Sequence, residues 1–151
     1  MKIFVDADAS PVQNEVIKIC DTYSLQGVFV KSYSHYSFDE LPKNIETIYV
    51  DHANDAADYK IVQLISSGDI VITQDYGLAS LCLQKGCHVL HHKGFQYTKK
   101  NIDTLLAKRH IGAQARKAGL RTKGPKPFTN EERQNFFIKL TNLVKKLLSK
   151  A

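Results

Sequence analysis

No stretch of this 151-residue chain approaches the roughly 20 consecutive apolar residues that a membrane helix needs. The first residues run straight into a strand pattern, without the charged n-region and apolar h-region of a secretory leader, so the expectation is a protein of the cytoplasm with no membrane partner. Cysteine is sparse. Cys20, Cys82 and Cys87 are an odd number, contain no C-x-x-C pair, and two of them fall in apolar patterns, so reduced core thiols are expected and neither a disulfide nor a zinc site. Internal repeats and low-complexity tracts are missing as well. What remains is the composition of one globular domain, 43% hydrophobic and 24% charged, long enough to bury a substantial core.

The net charge of +6 conceals a division along the chain. From Lys108 onward twelve Lys and Arg face only Glu131 and Glu132, a net of +10, which leaves −4 on residues 1–107. Basic segments commonly form plain solvated surface. The asymmetry also suits a protein that holds a polyanion against an acidic, metal-binding site.

The chain is organised around Ile3-Phe4-Val5-Asp6-Ala7-Asp8-Ala9-Ser10-Pro11. Three apolar, β-favouring residues read as a buried strand, and Ser10 and Pro11 suggest an N-cap and first helical position immediately after it. Val12, Val16, Ile19, Cys20 and Tyr23 then mark one helix face, with Gly27 just beyond. Val28 to Lys31 reads as a second strand, Ser32 to Asn44 as a loop, and Glu46 to Val50 as a third strand. Asp55 is placed to cap the next helix with Asp58 at N3, and Ala57, Ile61, Leu64 and Ile65 supply its inner face. Ile70 to Thr73 is a continuous β-branched run, as expected of a strand covered on both faces, and it ends at Gln74-Asp75. Leu78, Leu81 and Cys82 give a short helix closed by Gly86, and Cys87 to Leu90 makes a fifth strand.

Strands alternating with helices imply right-handed crossovers and a mainly parallel sheet in three layers. The expectation is an α/β domain with five strands in the order 3-2-1-4-5. The whole chain, 1–151, reads as a single domain: an α/β core over 1–95 and a basic helical extension over 96–151. Asn101 to Lys117 and a final helix behind the Thr129/Glu132 capping box form that extension, the latter burying Phe136, Leu140, Leu143, Val144 and Leu147. Between them lies a Gly/Pro-rich loop at 119–128.

In such a sheet the residues after strands one, three and four share one edge, where ligands bind. Asp6, Asp8 and Asp75 fall at the switch point, and the helix after strand three crosses strands two and one, which brings Asp58 and also Asp55 toward the same crevice. Asp69 opens its strand and belongs to the opposite edge. Clustered carboxylates repel unless protonated, paired or holding a cation, and hard oxygen donors suit Mg²⁺ or Mn²⁺. As isolated features, two acids on alternate residues equally serve as turn and capping residues. His91 and His92 follow strand five and are read as surface residues.

Asp6-Ala7-Asp8-Ala9-Ser10-Pro11-Val12, Asp55-Ala56-Ala57-Asp58 and Gly68-Asp69-Ile70-Val71-Ile72-Thr73-Gln74-Asp75-Tyr76-Gly77-Leu78-Ala79 resemble the YaiI/YqxD family of small uncharacterised bacterial proteins, whose cores are related to PIN domains. Arg109, Lys123-Gly124-Pro125 and Arg133 also fit, so the likeness covers nearly the whole chain. The resemblance implies a PIN-like fold in which Asp6 and Asp75 correspond to metal-binding acids, with Asp58 a looser match to a mid-chain acid that is often Glu. One departure is Ser10, where the family usually has Cys, so thiol chemistry at that position does not carry over.

The leading expectation is a metal-dependent phosphodiesterase or nuclease acting on RNA. Asp6, Asp8, Asp58 and Asp75 would be the catalytic and metal-binding residues, with Asp55 an additional ligand. Arg109, Arg116, Lys117, Arg121, Lys123 and Lys126 would grip phosphates. Two other classes stay open: a non-catalytic nucleic-acid- or protein-binding module on the same scaffold, and a haloacid-dehalogenase-like phosphatase with Asp6 as nucleophile. A homo-oligomer is compatible with all three.

Overall fold

The computed structural model describes residues 1–36, 40–53, 55–119 and 127–150. Its strands are β1 (Lys2–Asp6), β2 (Gln26–Ser32), β3 (Ile45–Val50), β4 (Ile70–Ile72), β5 (His88–Leu90) and β6 (Gln96–Tyr97). Its helices are α1 (Gln13–Tyr23), α2 (Ala56–Leu64), α3 (Tyr76–Gln84), α4 (Ile102–Lys117) and α5 (Asn130–Ser149), with one 3₁₀ turn at Tyr33–His35.

The sheet order is β3-β2-β1-β4-β5-β6, parallel throughout except for the last pair. The expected order is therefore present, with a sixth strand added: β6 returns antiparallel to β5, pairing Val89 with Tyr97. Two residues are too few to show a period-2 pattern, which is why the sequence reads as five strands.

Side chains alternate across the sheet and build two cores. Ile3, Val5, Phe29, Ile70 and Ile72 meet Val16, Ile19 and Cys20 of α1 and Phe136, Leu140 and Val144 of α5. Phe4, Val28, Val30, Val71 and Val89 meet Ile61 of α2, Leu78 and Cys82 of α3 and Ile102 of α4. Each such fully buried side chain contributes roughly 1.5–3 kcal/mol. All three cysteines are free and buried.

Several local details depart from the sequence pattern. α1 begins at Gln13 with Val12 as its N-cap residue, not at Ser10-Pro11. Ser10 and Pro11 are used by a turn in which the Ser10 N–H reaches the Ala7 carbonyl at 3.3 Å and the Gln13 side-chain amide reaches the same carbonyl at 3.0 Å. The left-handed residue ending α1 is Ser24, while Gly27 lies inside β2, where an added Cβ would stand 2.7 Å from Ile45 Cδ1. Leu64 and Leu81, assigned to inner faces, are exposed. His91 is buried, stacked on Phe95 at 4.5 Å between ring centroids, because the chain doubles back into β6 over it.

Among the described residues no helix is long and apolar enough to cross a membrane.

Candidate active-site crevice

The parallel register decides where the first acid goes. Val5 pairs with Ile72, so the next residues, Asp6 and Thr73, lie side by side at the carboxyl edge, on the face covered by α2, α3 and α4. The buried Thr73 hydroxyl donates to Asp6 Oδ2 at 3.1 Å and accepts the Asp75 N–H at 3.0 Å. One side chain thus fixes both the Asp6 carboxylate and the chain turn that presents Asp75. Thr73 is itself held by the Tyr97 hydroxyl, which donates to its carbonyl at 3.2 Å. As the last residue of a β-branched run it reads as one more apolar strand position, which conceals its hydroxyl.

Asp75 is the N-cap of α3, its Oδ1 accepting the Leu78 N–H at 3.1 Å. The same oxygen faces Arg109 of α4 at 3.5 Å. A Cβ at Gly77 would stand 3.2 Å from that oxygen, so the small residue keeps the carboxylate approachable.

Asp58 projects from the first turn of α2, which crosses the sheet as the crossover requires. Burial first, then the charges of Asp75, Asp6 and Asp55, push its carboxyl up to about 6, with Arg109 opposing. Burial likewise raises Asp6, against the Thr73 hydrogen bond and with added repulsion from Asp75 and Asp8. Asp75 lines one recess with Asp58 and another with Asp6, so its charge bears on both. Asp55 occupies the N-cap position of α2 in the left-handed region at φ 71°, but its side chain caps nothing. It lines the crevice instead.

Asp8 adds its charge to this group but is held from the next strand. Its Oδ1 accepts the Ser32 N–H at 2.9 Å and pairs with His35 Nδ1 at 3.0 Å, so it belongs to the end of β2 and the 3₁₀ turn after it. No local pattern could reveal this, because both partners lie more than twenty residues away in the chain.

Two recesses meet at the Asp75–Arg109 pair. A polar one of about 350 Å³ is lined by Asp6, Gln74, Asp75, Tyr76 and Arg109. A less polar one of about 530 Å³ extends past Asp55, Asp58 and Tyr59 toward Val62, Leu78 and Leu81. Arg116 and Lys117 sit exposed on the last turn of α4. Arg121, Lys123 and Lys126 lie outside the described residues.

Asp6, Asp58 and Asp75 are hard oxygen donors of the kind Mg²⁺ and Mn²⁺ prefer. Among the described residues, no three His, Cys, Asp or Glu side chains already stand around a common point. The donor chemistry fits a divalent ion, and these three are the residues that would hold one.

Fold and site together define a doubly wound, mainly parallel α/β protein with a carboxylate-lined crevice at its switch point. Comparison with known sequences is then decisive: the family described as uncharacterised BCR, YaiI/YqxD, matches residues 4–146, and the chain belongs to it. A UPF0178 protein of Oceanobacillus iheyensis is 58% identical over 136 residues, 90% of this chain and 93% of the relative. One from Enterococcus faecalis is 55% identical over 148 residues, 98% of this chain and all of the relative. Among solved structures, a mutant of Rae1 (YacP) from Bacillus subtilis aligns over the whole of both chains at 18% identity with a TM-score of 0.45, a likeness too weak to bear on fold or function.

Proposed function

We propose that this protein is a PIN-like, divalent-metal-dependent phosphodiesterase that acts on RNA in the cytoplasm. The observation that supports it is the approach of Asp6, Asp58 and Asp75, from β1, α2 and the start of α3, to two recesses that share Asp75 and Arg109, with Asp6 and Asp58 raised in proton affinity by burial and by neighbouring acids. A bound Mg²⁺ or Mn²⁺ there would activate water and neutralise charge on the departing oxygen. The chain's own contributions are separable from it. Thr73 holds Asp6 in place, the α3 N-terminus orients Asp75, and Arg109 offers a guanidinium that can leave Asp75 for a substrate phosphate. Arg116 and Lys117 on α4, with Arg121, Lys123 and Lys126 beyond it, supply further positive charge for the polyanion.

The test is cleavage of end-labelled single-stranded RNA with and without Mn²⁺, alongside Asp6→Asn and Asp75→Asn. Metal-dependent cleavage lost in both variants is the expected result. No cleavage, together with a melting temperature unmoved by millimolar Mn²⁺, would overturn the reading.

A non-catalytic binding module is the second reading, favoured by the Asp75–Arg109 pair, which already partly neutralises the cluster. The phosphatase reading is weakened by Asp8. Its carboxylate, the required general acid, is engaged by Ser32 and His35.

A further inference from the structure

Beside the carboxylate crevice the protein exposes tyrosine rings. Tyr33, Tyr36 and Tyr59 are 59%, 54% and 78% exposed, unusual for side chains that normally bury most of their area. Tyr33 stacks on Tyr49 with centroids 5.8 Å apart and planes 20° from parallel, and Tyr36 lies against the same ring at 4.9 Å. The three therefore form a layered group at the ends of β2 and β3, on the carboxyl edge of the sheet.

Tyr59 joins this group to the crevice. It follows Asp58 on α2 and lines two adjoining recesses, one shared with Asp58, Asp75 and Arg109, the other with Tyr33, Tyr49, Asp51 and Lys60. Tyr59 is thus the residue common to the recess of the acids and the recess of the stacked tyrosines.

We propose that Tyr33, Tyr49 and Tyr59 form a stacking platform for the unpaired bases of a single-stranded nucleic acid whose phosphate lies at Asp6, Asp58 and Asp75. This rests on the phosphodiesterase reading and adds the surface that holds the substrate's unpaired bases. Planar π-faces in succession accept any base without reading its edge, as aromatic side chains do in single-strand binding grooves. The charges agree with that orientation. Asp51 beside the rings repels a phosphate, while Lys60 on the same cleft offers the backbone a cation, which sets the backbone toward Lys60. Residues 108–151, with a net charge of +10, supply the positive charge that draws a polyanion to the molecule.

The chain has seven tyrosines and no tryptophan, so quenching of tyrosine fluorescence by stacked bases is readable directly. The experiment titrates an oligouridylate decamer, an oligoadenylate decamer and an abasic ribose-phosphate decamer into the Asp75→Asn protein without metal. Both base-bearing decamers should quench and bind more tightly than the abasic one. Tyr33→Ala and Tyr59→Ala should each weaken them by roughly 5- to 100-fold, while Tyr33→Phe and Tyr59→Phe bind as the parent does. Because both rings are more than half exposed, the Ala variants keep the fold, which circular dichroism verifies.

Equal binding of abasic and base-bearing decamers, or Ala variants that bind like the parent, would overturn the platform and assign the rings to contacts with another protein. The two readings fail separately. Tyrosine-dependent binding with no cleavage by the unsubstituted protein in Mn²⁺ would sink the catalytic reading alone. Cleavage with KM unchanged in the Ala variants would sink the platform alone.

Discussion

The Thr73 hydroxyl and the Asp6 carboxylate, sixty-seven residues apart in the chain, are joined by a 3.1 Å hydrogen bond across the ends of the parallel pair β1 and β4. Thr73→Val keeps the shape and removes the donor. Asp6 then loses the contact that opposes its burial, so its carboxyl should titrate at still higher pH and its affinity for Mn²⁺ should fall. The expected cost in stability is about 1–2 kcal/mol, because the Asp75 N–H is orphaned as well. Thr73→Ser should restore both properties. Carboxyl titration by ¹³C NMR decides the point, and an Asp6 titration unaltered in Thr73→Val would refute it.

Asp58→Asn should stabilise the metal-free protein. A carboxyl raised to about 6 takes up a proton more readily folded than unfolded, so this group weakens the fold at neutral pH. The wild-type protein recovers that loss as pH falls from about 6 toward the ordinary carboxylate value of 3.8. With allowance for the solvent around Asp58, the variant should gain about 1 kcal/mol at pH 7 in EDTA, and the gain should vanish near pH 4. Urea midpoints at the two pH values test it, and a variant that is no more stable at pH 7 counts against the crowding of acids.

His91 has the opposite sign. Burial, with help from His92 and Lys93, pushes it down to about 4, and its Nδ1 accepts the Lys93 N–H at 3.0 Å, which requires a neutral ring. Stability from this residue is complete above the ordinary 6.5 and is lost as pH falls from there toward 4. The loss should be of order 2 kcal/mol. His91→Asn keeps an acceptor for Lys93 and cannot take up the proton. It should be less stable at pH 7.5, where the stack on Phe95 is missed, yet flatter between pH 6.5 and 4.5. A wild-type profile as flat as the variant's would exclude a neutral, buried His91.

Arg133 of α5 donates to the Pro11 carbonyl at 2.6 Å and to Glu15 Oε1 at 2.9 Å, clamping the turn after β1. Glu15 is the more enclosed partner, and its Oε2 is buried with no hydrogen-bond partner among the described residues. Arg133→Met should therefore cost about 2 kcal/mol, mostly from stranding the Glu15 charge. Adding Glu15→Gln should recover part of it. A double variant no better than Arg133→Met in thermal melts would move the effect to the Pro11 contact.

Features carried by a few adjacent residues could be read directly. The capping box at Thr129 and Glu132 forms as its spacing implies, with the Thr129 hydroxyl accepting the Glu132 N–H at 3.1 Å and the Glu132 carboxylate accepting the Thr129 N–H at 3.2 Å. Ile70-Val71-Ile72 is fully buried, and Asp69 sits at the opposite edge, where it accepts the Lys2 and Ser66 N–H groups. The position of Asp75 followed from that strand assignment. The fate of Asp8 did not, because it depends on where β2 ends and on a 3₁₀ turn within a segment that lacks any periodicity. Leu64 and Leu81 misled for another reason: a helix face is set by which turns touch the sheet, and both residues lie just off that line. Ser24 takes a left-handed φ of 54° where glycine is the usual signal, so the end of α1 has no residue to announce it.

The two cores also have different histories as the chain is made. Every element facing Phe4, Val71 and Val89 has been synthesised once Ile102 and its turn of α4 exist. The other face must wait for Phe136, Leu140 and Val144. A nascent chain thus presents Ile3, Val5, Phe29 and Ile72 under α1 alone while the later residues are still being added. The crevice, built wholly on the earlier face, can assemble before its scaffold is sealed, and during that interval the uncovered side is the surface a chaperone would meet.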